Sequence, residues 1–239
     1  MPARACMLSQ ADQGAMAGFA GTMSGQARMI PSSFINALQL RIRMPLSILH
    51  GISTCACGKP VDEHGDHLFS CKHFTTHRTP WHDLVLDVFC NMARRAAFHV
   101  SHDSRRARAA SASYSPLWCP DATLIHGHAS GSHWVVDVAC PAVVKSTALP
   151  PAALEPLAVA SAMEDFKHGL YGVLAPQAVL LPFIVEHGGA LGAEGRKFFK
   201  LAQAVVSNRL TDRELEQAGW QVSSFCDFYH RSRRPLLTP

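Results

Sequence analysis

Several features are scarce in this sequence of 239 residues, and each shortage excludes a class of protein. Only 17% of the residues are charged and 48% are hydrophobic, so a wholly disordered chain is excluded because enough apolar surface is present to offset chain entropy. Apolar runs of the ~20 residues that cross a bilayer are also missing. The best run, 170–185, is interrupted by Gly172, Pro176 and Pro182, so we expect no membrane partner.

A secretory signal is not expected, because Gln10, Asp12 and Gly14 interrupt any apolar segment near the amino terminus. The eight cysteines are even in number, as a disulfide framework would require, but three of them cluster and five are scattered. Without a signal peptide a reducing cytosol or nucleus is expected. We therefore interpret the cluster as metal ligands and the scattered cysteines as buried thiols.

Arginines are concentrated in two stretches although the net charge of +4 is modest. The first stretch includes Arg105, Arg106 and Arg108 in a loop rich in Ser and Ala, and the second includes Arg233 and Arg234. A polyanion such as nucleic acid would be attracted to such stretches. The alternative is a basic surface that is merely solvated.

Hydrophobic periodicity and capping residues predict a mixed α/β (α+β) domain. The order is α-β-β-β-α-β followed by a helix, with Pro182 placing the last strand at an edge or a bulge. The predicted elements are a helix from Pro31 to about Pro45, a helix from Thr79-Pro80, strands Phe98–His102, Asp121–His126 and His133–Cys140, a helix at about Leu154–Leu170, a strand Ala178–Glu186, and helices through Phe198 and from Thr211. The chain divides into a loosely ordered lead-in (1–30), a helix with the cysteine cluster (31–76), the main core (77–210), and a final helix with a basic tail (211–239).

The cysteine cluster has the spacing of a small metal site. Cys55, Cys57, His67 and Cys71 give Cys-x-Cys, nine intervening residues, and His-x-x-x-Cys, with glycines between them for tight turns. Three thiolates and one imidazole suit a tetrahedral, structural zinc ion. His64 and His73 are alternative ligands, and the alternative to a metal site is two buried cysteines beside two unrelated ones.

Two aspartates stand symmetrically about a predicted turn. Asp121 and Asp137 are equally distant from Ala129, so symmetric pairing of the two strands places them opposite each other. Cross-strand neighbours lie ~5 Å apart, and two carboxylates at that distance repel unless a cation lies between them. Mg²⁺ held by one or two carboxylates is the usual arrangement in phosphate chemistry. The alternative is that one Asp caps a strand and the other faces solvent.

These motifs together resemble the carboxy-terminal region of non-LTR retrotransposon polyproteins, over about Phe34 to Leu201. That region joins a CCHC zinc knuckle to a restriction-like endonuclease of the PD-(D/E)xK class with an α-β-β-β-α-β core. The residues that carry the resemblance are Cys55 to Gly58, Asp62, Gly65, His67, Cys71, Pro120-Asp121, Asp137-Val138, Lys167, Tyr171, and Phe183 to Glu186 before Gly188.

The resemblance implies roles for individual residues. Asp121 matches the Asp of the PD motif and Asp137 the second acidic ligand, so the pair would hold Mg²⁺ at the scissile phosphate. Lys167 matches a lysine on the following helix that stabilises the transition state or positions water. Glu186 matches a strand-end glutamate that supports the site, although a solvent-facing or capping Glu fits equally. Glu164 is interpreted as a helix partner of Lys167.

Two functions follow from this comparison of motifs. The first is a Mg²⁺-dependent endonuclease that nicks a chromosomal DNA strand in the nucleus, after cytoplasmic synthesis. A reverse transcriptase, encoded upstream, would extend the new 3′ end on the element's RNA. The second is a catalytically inactive, zinc-containing nucleic-acid-binding module. It is favoured by departures from the family pattern at Cys119, Ala139 and Leu170.

Overall fold

The structure is a computed structural model of the chain. The described residues are 2–8, 35–36, 38–40, 42–71, 73, 75–101, 120–126, 133–145, 147–172 and 178–207. The basic loop with Arg105, Arg106 and Arg108 lies outside them, as do Cys119, the helix predicted from Thr211 and the basic tail.

A four-stranded mixed sheet forms the centre of the fold. Its strands are β1 (Phe98–Ser101), β2 (Ala122–His126), β3 (His133–Ala139) and β4 (Ala178–Ile184), in the spatial order β1-β2-β3-β4. The first three strands are antiparallel, and β4 runs parallel to β3. The strand with Pro182 is therefore at an edge of this sheet, as predicted, where its missing N–H costs least.

The register of β2 and β3 is the symmetric one that the sequence predicts. Ala122 pairs with Val136 and Thr123 with Val135. Asp121 lies one residue before β2, and its own N–H donates to the carbonyl of Val136 at 2.9 Å. This pairing brings Asp121 to the end of β3 that contains Asp137.

Helices surround the sheet on both faces. They are α1 (Pro2–Leu8), a 3₁₀ turn (Ser47–Leu49), α2 (Asp66–Ser70), α3 (Thr75–Arg95), α4 (Leu149–Leu154), α5 (Ala158–Tyr171) and α6 (Ala193–Ser207), with residues 35–36 and 38–40 also helical. The described part of the chain is thus a mixed α/β fold compatible with the α+β class. It contains no helix that is both long and apolar enough to span a bilayer.

Alternate residues of the strands face two different layers. Leu124, Val136 and Phe183 point into the main core, where Phe89 of α3 and Phe198 of α6 cover the sheet. Their neighbours point the other way, where Val135 and Leu180 pack against Tyr171 of α5. Because successive side chains of a strand point to opposite sides, the sheet has one face under α3 and α6 and another face under α5.

Two helix boundaries differ from the predicted ones. The helix expected from Thr79-Pro80 begins four residues earlier, at Thr75, so that Pro80 lies inside its second turn. The single helix expected at about Leu154–Leu170 is two helices, α4 and α5. They are separated because Leu157 adopts a left-handed conformation with φ of 64°, which no α-helix can continue through.

The amino-terminal residues include a packed helix rather than a wholly loose lead-in. Ala5 and Cys6 of α1 are buried against α4 in a second apolar cluster, with Phe69 of α2 at its margin. The ring of Phe69 lies 4.8 Å from that of His187, and Arg43 forms an ion pair with Asp66. The segment around the cysteine cluster is therefore docked on the core.

Candidate functional site

The four predicted metal ligands converge. The ligand atoms of Cys55, Cys57, His67 and Cys71 all lie within 4.8 Å of one another. The Sγ atoms of Cys55 and Cys71 are 3.6 Å apart, close to the ~3.8 Å that separates two sulfurs on one tetrahedral zinc. The Cys57 Sγ and His67 Nε2 atoms are 3.1 Å apart. This Cys3His set fits zinc, and neither His64 nor His73 belongs to it.

A tight turn and a short helix present these ligands. The N–H of Gly58 donates to the carbonyl of Cys55 at 2.8 Å, which closes the turn that contains Cys57. His67 lies on α2, and Cys71 follows directly after that helix. Gly65, which precedes α2, has φ of 74°, and a Cβ there would lie 3.2 Å from Leu49. A side chain at this position would be strained and crowded.

Asp62 organises the helix that carries the imidazole ligand. Its carboxylate accepts the backbone N–H groups of His64, Asp66 and His67 at 3.0, 3.1 and 3.0 Å. Burial works to raise the pKa of Asp62, but these hydrogen bonds to the ionised form outweigh it and lower the pKa below its usual value. Asp62 therefore fixes the backbone of a metal ligand without being a ligand itself.

The second site is built around Asp137, which lies on β3 and is only 5% exposed. Its Oδ1 accepts a hydrogen bond from Lys167 Nζ at 2.6 Å, and its Oδ2 accepts one from Tyr171 OH at 2.7 Å. Lys167 and Tyr171 lie four residues apart on α5, so one face of that helix supplies both donors. Burial raises the pKa of Asp137, the lysine and the tyrosine lower it, and the charge of Asp121 raises it further.

Asp121 completes the site from the neighbouring strand. Its Oδ2 accepts the backbone N–H of Val138 at 2.7 Å and lies 3.2 Å from His82 Nε2. Asp121 thus caps the strand end, as the alternative without a metal predicts for one Asp. That alternative also requires the other Asp to face solvent, whereas Asp137 is buried. We refer to Asp121, Asp137, Lys167, Tyr171 and His82 together as the acidic site.

His82 is the member of the acidic site that the sequence did not indicate. It lies on α3, with Nδ1 3.1 Å from the neighbouring Asp83 Oδ1. The hydrogen bond to Asp121, despite partial burial, raises the pKa of His82 to about 9, so the imidazole is protonated at neutral pH. Its contact with Asp121 spans 39 residues, and no local pattern marks it among the other histidines of this region.

Glu186 and Glu164 are buried and belong to helix ends rather than to the acidic site. Glu186 Oε1 accepts the N–H of Ala160 in the first turn of α5 at 3.1 Å. This agrees with the capping interpretation of Glu186. Glu164 was predicted to pair with Lys167, but its Oε1 accepts the N–H of Glu194 in the first turn of α6 at 3.0 Å. Each carboxylate stabilises a helix amino terminus, where backbone N–H groups lack partners.

Two departures from the family pattern fall within the described residues. Ala139 ends β3 and is half-buried. Its methyl side chain has no charge, so this position offers no cation. Leu170 packs beside the apolar cluster of Val135, Tyr171 and Leu180. Lys167 is accordingly the lysine that the described part of the chain brings to Asp137.

A scan of the sequence against protein-family models finds no match, and a search of curated proteins finds no similar protein.

Proposed function

We propose that this chain is a metal-dependent DNA endonuclease, the target-strand nicking module of a non-LTR retrotransposon, with a restriction-like core and a zinc knuckle. One observation carries the proposal: the Asp137 carboxylate of β3 meets Lys167 of α5, with Nζ 2.6 Å from Oδ1, and the Asp121 carboxylate, just before β2, accepts the N–H of Val138, the residue next to Asp137. Two acids and a lysine at the end of a sheet are the residue types that phosphodiester cleavage requires.

The donor chemistry supports Mg²⁺ as the metal. Asp121 and Asp137 offer hard carboxylate oxygens. Each Asp137 oxygen has a second lone pair beyond the hydrogen bond described for it, and both contacts described for Asp121 fall on its Oδ2 rather than its Oδ1. When bound there, Mg²⁺ would stabilise negative charge on the transferring phosphoryl group. His82 lies beside Asp121 and Lys167 beside Asp137, so each carboxylate has a cationic neighbour before any metal arrives.

The residues of the chain divide the remaining work. Lys167 holds its ammonium group at the carboxylates, where it neutralises charge on the phosphate and orients the attacking water. Tyr171 and the Val138 N–H fix the orientation of the two carboxylates. The 3′ hydroxyl left by the nick would be the primer for a reverse transcriptase supplied by the same element.

Nicking of supercoiled plasmid by the zinc-loaded full chain in Mg²⁺ tests the proposal. Asp137→Asn should reduce nicking at least ~100-fold, because the metal-binding charge is lost. Asp165→Asn changes an exposed acid on α5 in the same way and should leave nicking unchanged. Wild-type protein that does not nick, or equal activity in both variants, contradicts the endonuclease.

A second candidate function is the inactive, zinc-containing nucleic-acid-binding module. The half-buried Ala139 favours it, because the family's lysine position two residues after Asp137 lacks a cation. This function predicts zinc-dependent DNA binding and no nicking by wild-type protein. The plasmid assay and a binding assay on the same sample separate the two.

A further inference from the structure

An aromatic side chain joins the Cys3His segment (Cys55–Cys71) to the core. Phe69 lies on α2 between the two ligands His67 and Cys71. Its ring is 4.8 Å from the ring of His187, at an angle of 57°. This contact with the core therefore depends on a residue whose position is set by a ligand on either side.

His187 follows β4 and lies beside the cap of α5. Its N–H donates to the carbonyl of Pro141, just beyond β3, at 3.0 Å, and its Nδ1 accepts the N–H of Val143 at 3.2 Å. The preceding residue, Glu186, accepts the N–H of Ala160 in the first turn of α5. The imidazole that the knuckle ring contacts is thus fixed to the chain after β3 and directly follows the residue that caps α5.

The apolar cluster that Phe69 packs against includes the start of α5. Val159, in the first turn of that helix, is buried in this cluster. Leu157, immediately before α5, is left-handed, so α4 cannot fix the direction of α5 by continuing into it. The direction of α5 is instead set by the packing of its first turn and by its contacts with the sheet.

The acidic site lies farther along the same helix. Lys167 and Tyr171 follow Ala160 by about two and three turns. Both donate to Asp137, with donor–acceptor distances of 2.6 and 2.7 Å. Hydrogen bonds weaken steeply when their geometry is disturbed, and a helix transmits a displacement along its length because it is a rigid element. A shift of the first turn of α5 would therefore disturb both donors.

The helix that carries Phe69 depends on the ligands beside it. α2 has 5 residues, and a helix of this length is not stable by itself in water. Asp62 accepts two of its N–H groups. In a zinc-bound site, His67 and Cys71 are also tied to the other two ligands, because metal binding is coupled to local folding. The position of Phe69 therefore follows the occupancy of the metal site.

We propose that the Cys3His segment positions α5 through Phe69 and His187, so that zinc at the four ligands orders the helix that presents Lys167 to the acidic site. The proposal rests on the proposed function and deepens it, because Lys167 is the lysine of the cleavage reaction. Phe69 and His187 are positioning residues, since they act through α5 and do not belong to the acidic site.

Amide hydrogen exchange of the zinc-loaded full chain, read by mass spectrometry of peptides, tests the proposal without cleavage. In Phe69→Ala, with one zinc per chain checked by elemental analysis, the N–H groups of α5 should exchange ~5-fold or more faster than in wild type, and those of β1 less than about twofold faster. Phe166→Ala is the matched control, because it removes the same ring from a site on α5 that is 60% exposed. In this variant α5 should exchange no faster than in wild type.

Removal of zinc with a chelator provides the second comparison. It should speed exchange in α5 of wild type ~5-fold or more, but by less than about twofold in Phe69→Ala, where the connection is already lost. His187→Ala removes the connection from the other side and leaves the Cys3His segment unchanged. It should behave as Phe69→Ala does, and it serves as the test if Phe69→Ala does not retain zinc.

Three results would overturn the proposal: exchange in α5 of His187→Ala that equals that of wild type, an equal acceleration in β1, or an effect of zinc removal on α5 that is as large in His187→Ala as in wild type. These outcomes do not depend on nuclease activity. A wild-type chain that nicks plasmid while α5 ignores zinc refutes only the positioning of α5. A chain in which α5 responds to zinc but wild type does not nick refutes only the endonuclease.

Discussion

His82 lies between two carboxylates, with Nε2 3.2 Å from Asp121 and Nδ1 3.1 Å from Asp83. These contacts raise its pKa from 6.5 to about 9, so the folded state binds a proton that the unfolded chain releases in this pH range. A pKa raised by folding gives stability that is fully present below pH 6.5 and is lost as the pH rises through 9.

The pH dependence of unfolding follows from this ion pair. Between pH 6.5 and 9, metal-free wild type should lose roughly 1 to 3 kcal/mol more free energy of unfolding than His82→Gln. Urea titrations at several pH values measure this difference. Parallel pH profiles for the two proteins would show that His82 is not charged in the folded state.

The buried ion pair of Asp137 with Lys167 changes the stability expected for Asp137→Asn. On the sequence alone, removing one of two repelling carboxylates should leave the metal-free fold equally stable or more stable. In the structure each carboxylate has a cationic neighbour, so the change leaves Lys167 without its partner. We expect Asp137→Asn to cost ~1 to 3 kcal/mol in EDTA.

A double-mutant cycle checks the source of that cost. The double variant Asp137→Asn/Lys167→Met should lose less free energy of unfolding than the sum of the losses in the two single variants, because neither charge is then left without its partner. The Lys145→Met change, at an exposed lysine outside the acidic site, is the control and should be additive with Asp137→Asn. Strict additivity in the first pair would argue against the ion pair.

At the scale of elements, helix ends are held by acids from other parts of the chain. Glu186 from the end of β4 caps α5, and Glu164 of α5 caps α6. The first contact orients the helix that carries Lys167 and Tyr171. A Cβ at Gly192 would lie 2.3 Å from Glu164 Oε1. Only glycine leaves room at this position for the carboxylate that caps α6.

In the segment with the Cys3His cluster (Cys55–Cys71), an acid likewise fixes the start of a helix, since Asp62 accepts N–H groups of α2. Asp62→Ala should weaken zinc binding ~10-fold or more, because the backbone of His67 loses the carboxylate that orients it. Competition with a chromophoric chelator measures the affinity, and Glu63→Ala, at an exposed neighbour, should bind zinc as wild type does.

Elemental analysis of Cys57→Ser should find the zinc lost, and full retention of zinc would refute the ligand set.

Local patterns predicted the elements whose determinants are close in sequence. The β-branched run of Val135, Val136 and Val138 and the symmetry about Ala129 indicate both β3 and its register with β2. The break at Leu157 was missed, since Pro156 also suits the first turn of a helix and nothing local signals a left-handed residue. The roles of His82 and Glu164 could not be foreseen, because their partners are 30 or more residues away and only packing brings them together. A cap by Glu186 was one of the alternatives, but the sequence did not indicate which helix it would cap.

At the scale of the whole molecule, a Cys3His cluster that fits zinc and a sheet with two aspartates at the ends of neighbouring strands belong to one chain of net charge +4. DNA affinity should come largely from the basic loop, which lies outside the described residues. Replacing Arg105, Arg106 and Arg108 with Ala should flatten the slope of log affinity against log salt by roughly 2 to 3 units. An unchanged slope for a duplex probe would show that this loop is only a solvated linker.

The proposed endonuclease requires that Asp121 and Asp137 jointly hold one divalent ion that enables cleavage. Electron paramagnetic resonance of Mn²⁺ titrated into the zinc-loaded protein counts that ion directly, and plasmid nicking can be followed in the same titration. We predict one Mn²⁺ per chain, nicking that rises with its occupancy, and loss of both in Asp121→Asn and in Asp137→Asn but not in Asp165→Asn. Mn²⁺ binding that is the same in all four proteins, or nicking that does not follow occupancy, would contradict it.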